Sequence, residues 1–580
     1  MQNETKRCAA SRGGWTLAAT SMLWASAGAQ VTVGPQTRMD TGRGAQPCNE
    51  TTVSAAYSNP LEIVAGWNDY REGTPRTGIG LSLDGGVTWT DFLLRPPPAN
   101  QSSVEGDPMT CFDHRTGTLW AGGMSFNVAQ GGIFVARKDP GAAGFGPVKM
   151  ARISSNVDKG WMAAGTDPSD PTKSIVYCAY NQGLIRSLDM GDNWTAPLSL
   201  GGGLGFNPKT GPNGELYVAY WDFNTQMLFR RSFNGGASIG APILVATRMD
   251  VWGIDGSRVP GNARVVSLAG LAVDPNDGTV YYVYPDTTSI VSNGFNLDVY
   301  FSKSTDDGAN WTTPVVINTD AATPGDQIFP WIEVDQQSRI HMTFYDSRGV
   351  VQNDTASVGF FDAYYSYSDD AGATWTEIKL TTAPMRTDLA FSGGIFIGDY
   401  LGLSTAGRRT LPVYMDTKLG NADVFTHVIT DGPATEFCFG LGCPCGNDDP
   451  EAGCGNNGAD AAAATGSRLT AGGTNSVAAN DLVLAFDGVK PNLFGLVFRA
   501  TTTGAVAFGD GTRCLAGSLH RFPLRQANPG GVIEYGPGEV VGFDGPTPGV
   551  THHYQGWYRD PNGPCGNQFN VSSAASVTWQ

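Results

Sequence analysis

Ser82 to Trp89 reads SLDGGVTW, and the phrase returns as SLDMGDNW (Ser187 to Trp194), STDDGANW (Ser304 to Trp311) and SDDAGATW (Ser368 to Trp375). SFNGGASI (Ser232 to Ile239) is a worn fifth copy and RKDPGAAGF (Arg137 to Phe145) a more distant sixth. Each copy follows a short strand-like run, such as DVYFSK before Ser304, and most lead into another, such as TTPVVI after Trp311. The residue types suit a tight turn. The aspartate carboxylate accepts backbone N–H groups, the glycine supplies a positive φ, and the tryptophan buries a large apolar area between neighbouring sheets. Asp84, Trp89, Asp189, Trp194, Asp306, Trp311, Asp370 and Trp375 are therefore read as structural.

A second element repeats in step with the first: a strand that ends in an aromatic and then usually an acid. It reads AGWNDYR at Ala65 to Arg71, AYWDF at Ala219 to Phe223 and YVYPDT at Tyr282 to Thr287. It returns as TFYDSR at Thr343 to Arg348 and VYMDTK at Val413 to Lys418, while CAYNQ at Cys178 to Gln182 lacks the acid. A further strand precedes each of these. One unit is then four strands, with the octapeptide joining the third to the fourth. Units open near Thr51, Asp107, Gly160, Leu204, Val265, Asp326 and Phe396. Seven units of roughly 55 residues have the period of propeller blades. The last unit has no octapeptide, and the strand-like QVTVGPQT (Gln30 to Thr37) is expected to supply its missing outer strand.

The S-x-D-x-G-x-T-W pattern resembles the Asp-box, or bacterial neuraminidase repeat, from Thr51 to about Thr430. The resemblance implies an all-β, sialidase-like β-propeller. The repeats count seven blades, and sialidases, with six, supply the alternative. The resemblance also implies site residues. Arg71, ending the second strand of the first unit, matches a substrate arginine of sialidases. Tyr400, in IGDYLGLS, falls near the nucleophile position. Other expected residues are missing: the first unit opens CNETTVSA where R-I-P would stand, and Glu72 to Gly80 holds no acid/base aspartate. No glutamate opens a middle unit to pair with Tyr400. The expectation is thus a sialidase-like glycoside hydrolase fold with an incomplete catalytic set, binding extracellular glycans or protein partners. An active exo-glycosidase is the alternative.

In a four-stranded meander the octapeptides share one end of each sheet, and the acids ending the second strands share the other. That second face gathers Asp69, Asp222, Asp286, Asp346 and Asp416 with Asp399, Tyr400, Asp107 and Asp326, which open first strands. Arg71, Arg348 and Lys418 each stand two residues after such an acid, so turn caps and ion pairs are one reading. A carbohydrate or cation site, with Asp69, Asp222, Asp286, Asp346, Arg348, Asp399 and Asp416 on the binding face, is the other. An acidic funnel suits a neutral glycan or a bound calcium ion.

The chain has 580 residues, 77 of them glycine, and only 16% are charged, which suits short strands and many turns. Net charge is −17 with no basic cluster, which excludes nucleic acid as a partner. Residues 1–29 read as a signal peptide: Lys6, Arg7 and Arg12, an apolar run from Trp15 to Trp24, then Ala27-Gly28-Ala29 before Gln30. Cleavage there removes three bases and Glu4, so −17 becomes −19. The run is too short for a membrane span, and the chain is expected to be secreted or on a bacterial cell surface.

The propeller is placed at 30–432, a Cys/Gly-rich linker at 433–466 and a small β-sandwich-like domain at 467–580. Cys438, Cys443, Cys445, Cys454, Cys514 and Cys565 crowd this tail and predict up to three disulfides among 15 connectivities. A zinc site around Cys443, Cys445 and Cys454 is the rival reading. Tyr554, Trp557 and Tyr558 suit either a sugar platform or a core.

Overall fold

The computed structural model describes residues 31–41, 46–57, 59–249, 264–266, 268–287, 290–291, 294–320, 325–349, 358–391, 396–456 and 465–580. The expected signal peptide and Gln30 lie outside the described residues. The described chain is nearly all β. Its one α-helix is the six-residue Glu539–Asp544, and no described helix is long and apolar enough to cross a membrane.

Seven antiparallel sheets follow one another along the chain. Their first strands are Cys48–Ala56, Glu105–Asp113, Trp161–Asp167, Leu204–Thr210, Gly270–Val273, Gln327–Val334 and Gly402–Ala406. Each lies against the next, and the seventh returns to the first, so the seven make a closed ring. Within the first six sheets the strands follow in sequence order from centre to rim. The first sheet continues with Asn59–Asp69, Arg76–Ser82 and Thr90–Leu93. Because neighbouring sheets cover both faces, alternation disappears. VYYVYPD (Val280–Asp286) and IHMTFYD (Ile340–Asp346) are buried at every position.

The seventh sheet takes its outer strand from the other end of the chain. Thr37–Arg38 pairs with Asp423–Thr426, and Val31–Val33 pairs with Ile429–Asp431. The segment predicted to complete this unit therefore does so, with its pairing divided between two strands.

The octapeptides form nearly superposable turns. In the third sheet's copy, the Ser187 hydroxyl donates to Asp189 Oδ1 at 2.8 Å and accepts Gly191 N–H at 2.7 Å. Asp189 also accepts the Asn193 backbone N–H at 2.8 Å and its side-chain amide at 2.7 Å. The copies at Ser304 and Ser368 repeat this, and the worn copy keeps it with Asn234 in the aspartate's place. The Asn310 side chain and backbone N–H hold the Asp306 carboxyl down at about 2. The sixth copy differs: Asp139 pairs with Arg137 at 3.2 Å and has no serine to cradle it.

The five serine-bearing turns each press a glycine onto the preceding sheet. A Cβ on Gly191 would sit 2.7 Å from Trp120, on Gly372 2.5 Å from Phe301, and on Gly86 2.6 Å from Leu411 of the seventh sheet. The tryptophans pack beside the same contacts, with Trp375 5.5 Å from Phe301 and Trp311 5.1 Å from Phe229.

The tail has its own core around Leu484, Phe486, Tyr535, Tyr554, Tyr558 and Trp579. Tyr554 and Tyr558 are fully buried there, so they form core and not a sugar platform. Thr435–Phe437, inside the stretch read as a linker, pairs with Phe569–Thr578 at the end of the tail. Disulfides join Cys438–Cys514, Cys443–Cys454 and Cys445–Cys565, which removes the zinc reading, while Cys111 and Cys178 are free and buried and Cys48 is buried.

Two outcomes are expected. Gly372→Ala meets both a φ of +86° and the Phe301 ring, and should lose about 1–3 kcal/mol in urea unfolding. Gly144→Ala, with open space around it, should be near neutral. Non-reducing peptide mapping should return the three tail pairings, with Cys111 and Cys178 alkylated only after unfolding.

Candidate functional site

Where the first strands converge, away from the octapeptides, their opening residues depart from regular strand geometry. Bulges interrupt pairing between Asn49 and Thr52, Gly106 and Met109, Leu204 and Asn207, and Ile328 and Trp331. At or beside these openings stand residues with positive φ: Glu50 (55°), Asp107 (47°), Lys159 (30°), Gly205 (68°), Phe329 (55°) and Gly398 (96°). The bulges turn side chains that would otherwise pack between sheets towards the centre of the ring.

They surround a cavity of about 660 Å³. Its charged lining includes Glu50, Asp107, Asp158, Lys159, Arg264 and Asp399, and Tyr70, Phe126, Phe223 and Phe396 add aromatic surface. Phe223 is 43% exposed. Hydrogen bonds run from sheet to sheet. The Asn68 amide donates to Glu50 Oε2 at 2.8 Å, Asn68 Oδ1 accepts Asp107 N–H at 2.9 Å, and Asp107 Oδ2 accepts Lys159 N–H at 3.1 Å. Arg264 grips Asp399 with two bonds, one of 3.0 Å from Nε to Oδ1.

Aromatic rings close the floor. Lys159 Nζ lies 3.3 Å from the Tyr400 ring centroid and 4.2 Å from that of Trp161, which packs 5.4 Å from Tyr400 and 5.2 Å from Trp331. Lys159 is only 5% exposed, and its Nζ meets no hydrogen-bond partner in the protein. Tyr400 is 3% exposed. Its hydroxyl lies towards the Glu50 carboxyl without reaching ordinary hydrogen-bond geometry.

Burial dominates the electrostatics. It pushes the Glu50 carboxyl well above the usual carboxylate range, helped by Asp399 and Asp107. It also raises Asp158 and Asp399, the latter against the pull of Arg264, and lowers the Lys159 ammonium despite four nearby acids.

Of the residues singled out in the sequence, Asp107 and Asp399 line the cavity and Tyr400 lies in its floor. Arg71 turns outward, bonded to Asp69 at 2.7 Å and to Asp91 on the rim strand at 3.0 Å. Arg348 repeats that arrangement with Asp346 at 2.6 Å and Glu377 at 2.7 Å. Asp222 accepts N–H groups of Asn224 and Gln226, Asp286 that of Met249, and Asp416 that of Lys418. Asp222 and Asp416 thus cap their own turns, and Asp286 ties down the end of the preceding sheet. Glu50, Asp158, Lys159 and Arg264 were missed as site residues, and the glutamate near Tyr400 comes from the first unit, not a middle one. Among the described residues, the only cluster of three possible metal ligands is Cys445, Asp510 and Cys565, and its two cysteines are joined as a disulfide.

No family model and no curated protein matches the sequence. Solved structures give low-scoring similarities. The alpha-L-arabinanase of Penicillium chrysogenum complexed with arabinobiose is 13% identical, over 69% of this chain and 98% of its own, with a TM-score of 0.38. A Hadza microbial sialidase is 15% identical over 68% of each chain, with a TM-score of 0.37. The intramolecular trans-sialidase of Ruminococcus gnavus is 11% identical over 69% of this chain and 97% of its own, also at 0.37.

Burial raises one further carboxyl at the ring's opening, Asp326, to about 7. Its Oδ1 accepts Leu297 N–H at 3.1 Å. The folded chain holds this proton more tightly than the unfolded chain does. The resulting stabilisation is complete below about pH 4 and is lost as pH rises through about 7. Asp326→Asn removes that loss. Its stability relative to the native chain should rise by roughly 2–4 kcal/mol between those limits, read from denaturant unfolding at each pH.

Proposed function

We propose that the chain is a secreted, sialidase-like Asp-box propeller of seven blades that binds extracellular glycans in its mouth cavity, with the disulfide-bonded tail as a separate appended domain. The observation that carries this reading is the cavity itself. Its volume suits a small ligand, and its wall mixes hydrogen-bond donors, acceptors and exposed aromatic surface, as sugar recognition requires. The closed ring of first strands supports the blade count, and the oxidised tail cysteines fit an extracellular protein.

Sialidase chemistry is disfavoured by the same geometry. A substrate carboxylate needs free arginines, but Arg264 is engaged by Asp399, and Arg71 by Asp69 and Asp91. A tyrosine nucleophile must reach the sugar, but Tyr400 lies beneath Lys159. One observation favours the second reading, a glycosidase for neutral sugars: Glu50 is a buried carboxyl of raised pKa among other acids, the environment of a general acid.

Assays of the purified protein on aryl sialosides and aryl glycosides of neutral sugars, with and without chelator, separate these readings. The expected result is no sialoside turnover and chelator-insensitive binding of neutral glycans by calorimetry. Robust sialoside turnover abolished by Tyr400→Phe would overturn the proposal. Neutral-glycoside turnover lost on Glu50→Gln would establish the second reading.

A further inference from the structure

We propose that Glu50, Asp107 and Lys159 together grip two adjacent hydroxyls of a neutral terminal sugar. This rests on the glycan-binding reading above and deepens it by naming the ligand's chemistry and the residues that select it.

The first argument comes from the backbone. Three successive sheets open with a charged residue at positive φ: Glu50 at 55°, Asp107 at 47° and Lys159 at 30°. Side chains other than glycine, asparagine and aspartate adopt that region at a cost. Glycine occupies the corresponding places of the fourth and seventh sheets, Gly205 and Gly398, so the bulge itself needs no side chain. Keeping Glu and Lys there trades local strain for side chains directed at the cavity, while Asp107 adopts the region more readily.

The second argument comes from unsatisfied polarity. Lys159 lines the cavity and is nine-tenths buried, yet Nζ has three donors and no acceptor in the protein. An anionic ligand would supply an acceptor but would meet Glu50, Asp107, Asp158 and Asp399. A hydroxyl supplies one without that repulsion, and can donate its own proton to a carboxylate. Two neighbouring hydroxyls satisfy the ammonium, the Glu50 carboxyl and the Asp107 side chain together. Asn68 bonds to Glu50 Oε2 at 2.8 Å and to Asp107 N–H at 2.9 Å, which fixes the two acidic positions relative to each other. The exposed Phe223 on the rim offers a ring for the apolar face of the sugar. Arg264 and Asp399 neutralise each other and take no part in the grip.

The experiment is calorimetry of the full chain with the methyl glycosides of galactose, glucose, mannose and arabinose, with monodeoxy derivatives of any that bind, and with N-acetylneuraminic acid. At least one neutral glycoside should bind, and removing either of two adjacent hydroxyls should weaken it tenfold or more. Asp107→Asn and Lys159→Met should each weaken it at least tenfold. Asp107→Asn keeps a residue tolerant of positive φ, so its melting temperature should not fall. A neutral glycoside bound equally well by the native chain and both variants would overturn the grip and leave the glycan reading standing. Tighter binding of N-acetylneuraminic acid than of any neutral sugar would also overturn it. Failure of the native chain to bind any neutral sugar would overturn both readings.

Discussion

The ring depends on one contact made again and again: the glycine of an octapeptide turn pressed onto an apolar side chain of the sheet before it. The aspartate folds the turn, the serine hydroxyl bridges carboxylate and glycine N–H, and the absent Cβ lets backbone touch Trp120, Phe301 or Leu411. That contact lies towards the outside of the ring. The contacts between first strands lie at its centre. Two contacts at different radii fix the angle between neighbouring sheets, which a single layer of side-chain packing would leave free. The mouth inherits its shape from this arrangement.

Convergence has an electrostatic cost at the centre. First-strand openings from different sheets are brought close together, and the acids they carry lose water. Glu50, Asp158, Asp326 and Asp399 all hold their protons more tightly for that reason. Acids at the ends of the second strands find local partners, although burial still raises Asp346 and Asp416. Asp69 and Asp346 take an arginine two residues on, and Asp222 and Asp416 take backbone N–H groups. Glu50, Asp158 and Asp399 differ in lining one shared cavity, and this distinguishes a site from a cap.

What could be read from the sequence follows the range of the interactions. The octapeptide is local, so its turn and its sheet could be placed from eight residues. The closing segment was legible because the last unit visibly lacked a strand. The site was much less so. Asp399 and Tyr400 were found because they open a recognisable unit, whereas Lys159 and Arg264 meet Glu50 only through the closure of the ring. Arg71 shows the opposite failure. Its motif position pointed to substrate, but Asp91 on the rim strand draws it outward. That partner was in view: Asp91 and Glu377 each follow an octapeptide tryptophan by two residues, and each binds the arginine of its own sheet. Comparing the residues that open each unit would also have exposed Glu50 and Lys159, with Asp107, as charges in places where two other units use glycine.

The seventh sheet sets an order of events during synthesis. The Thr32 hydroxyl donates to the Gly432 carbonyl across 400 residues, and His427 meets the Gly34 carbonyl across 393. The first part of the ring to leave the ribosome is thus among the last to find its partners. Until then six sheets can stack, each on the one before, while Val31–Arg38 waits as a loose end and the first and last sheets expose edges. A slow, late closing step of high contact order follows from this single pairing, and translation must pass the seventh sheet before the molecule can become a ring.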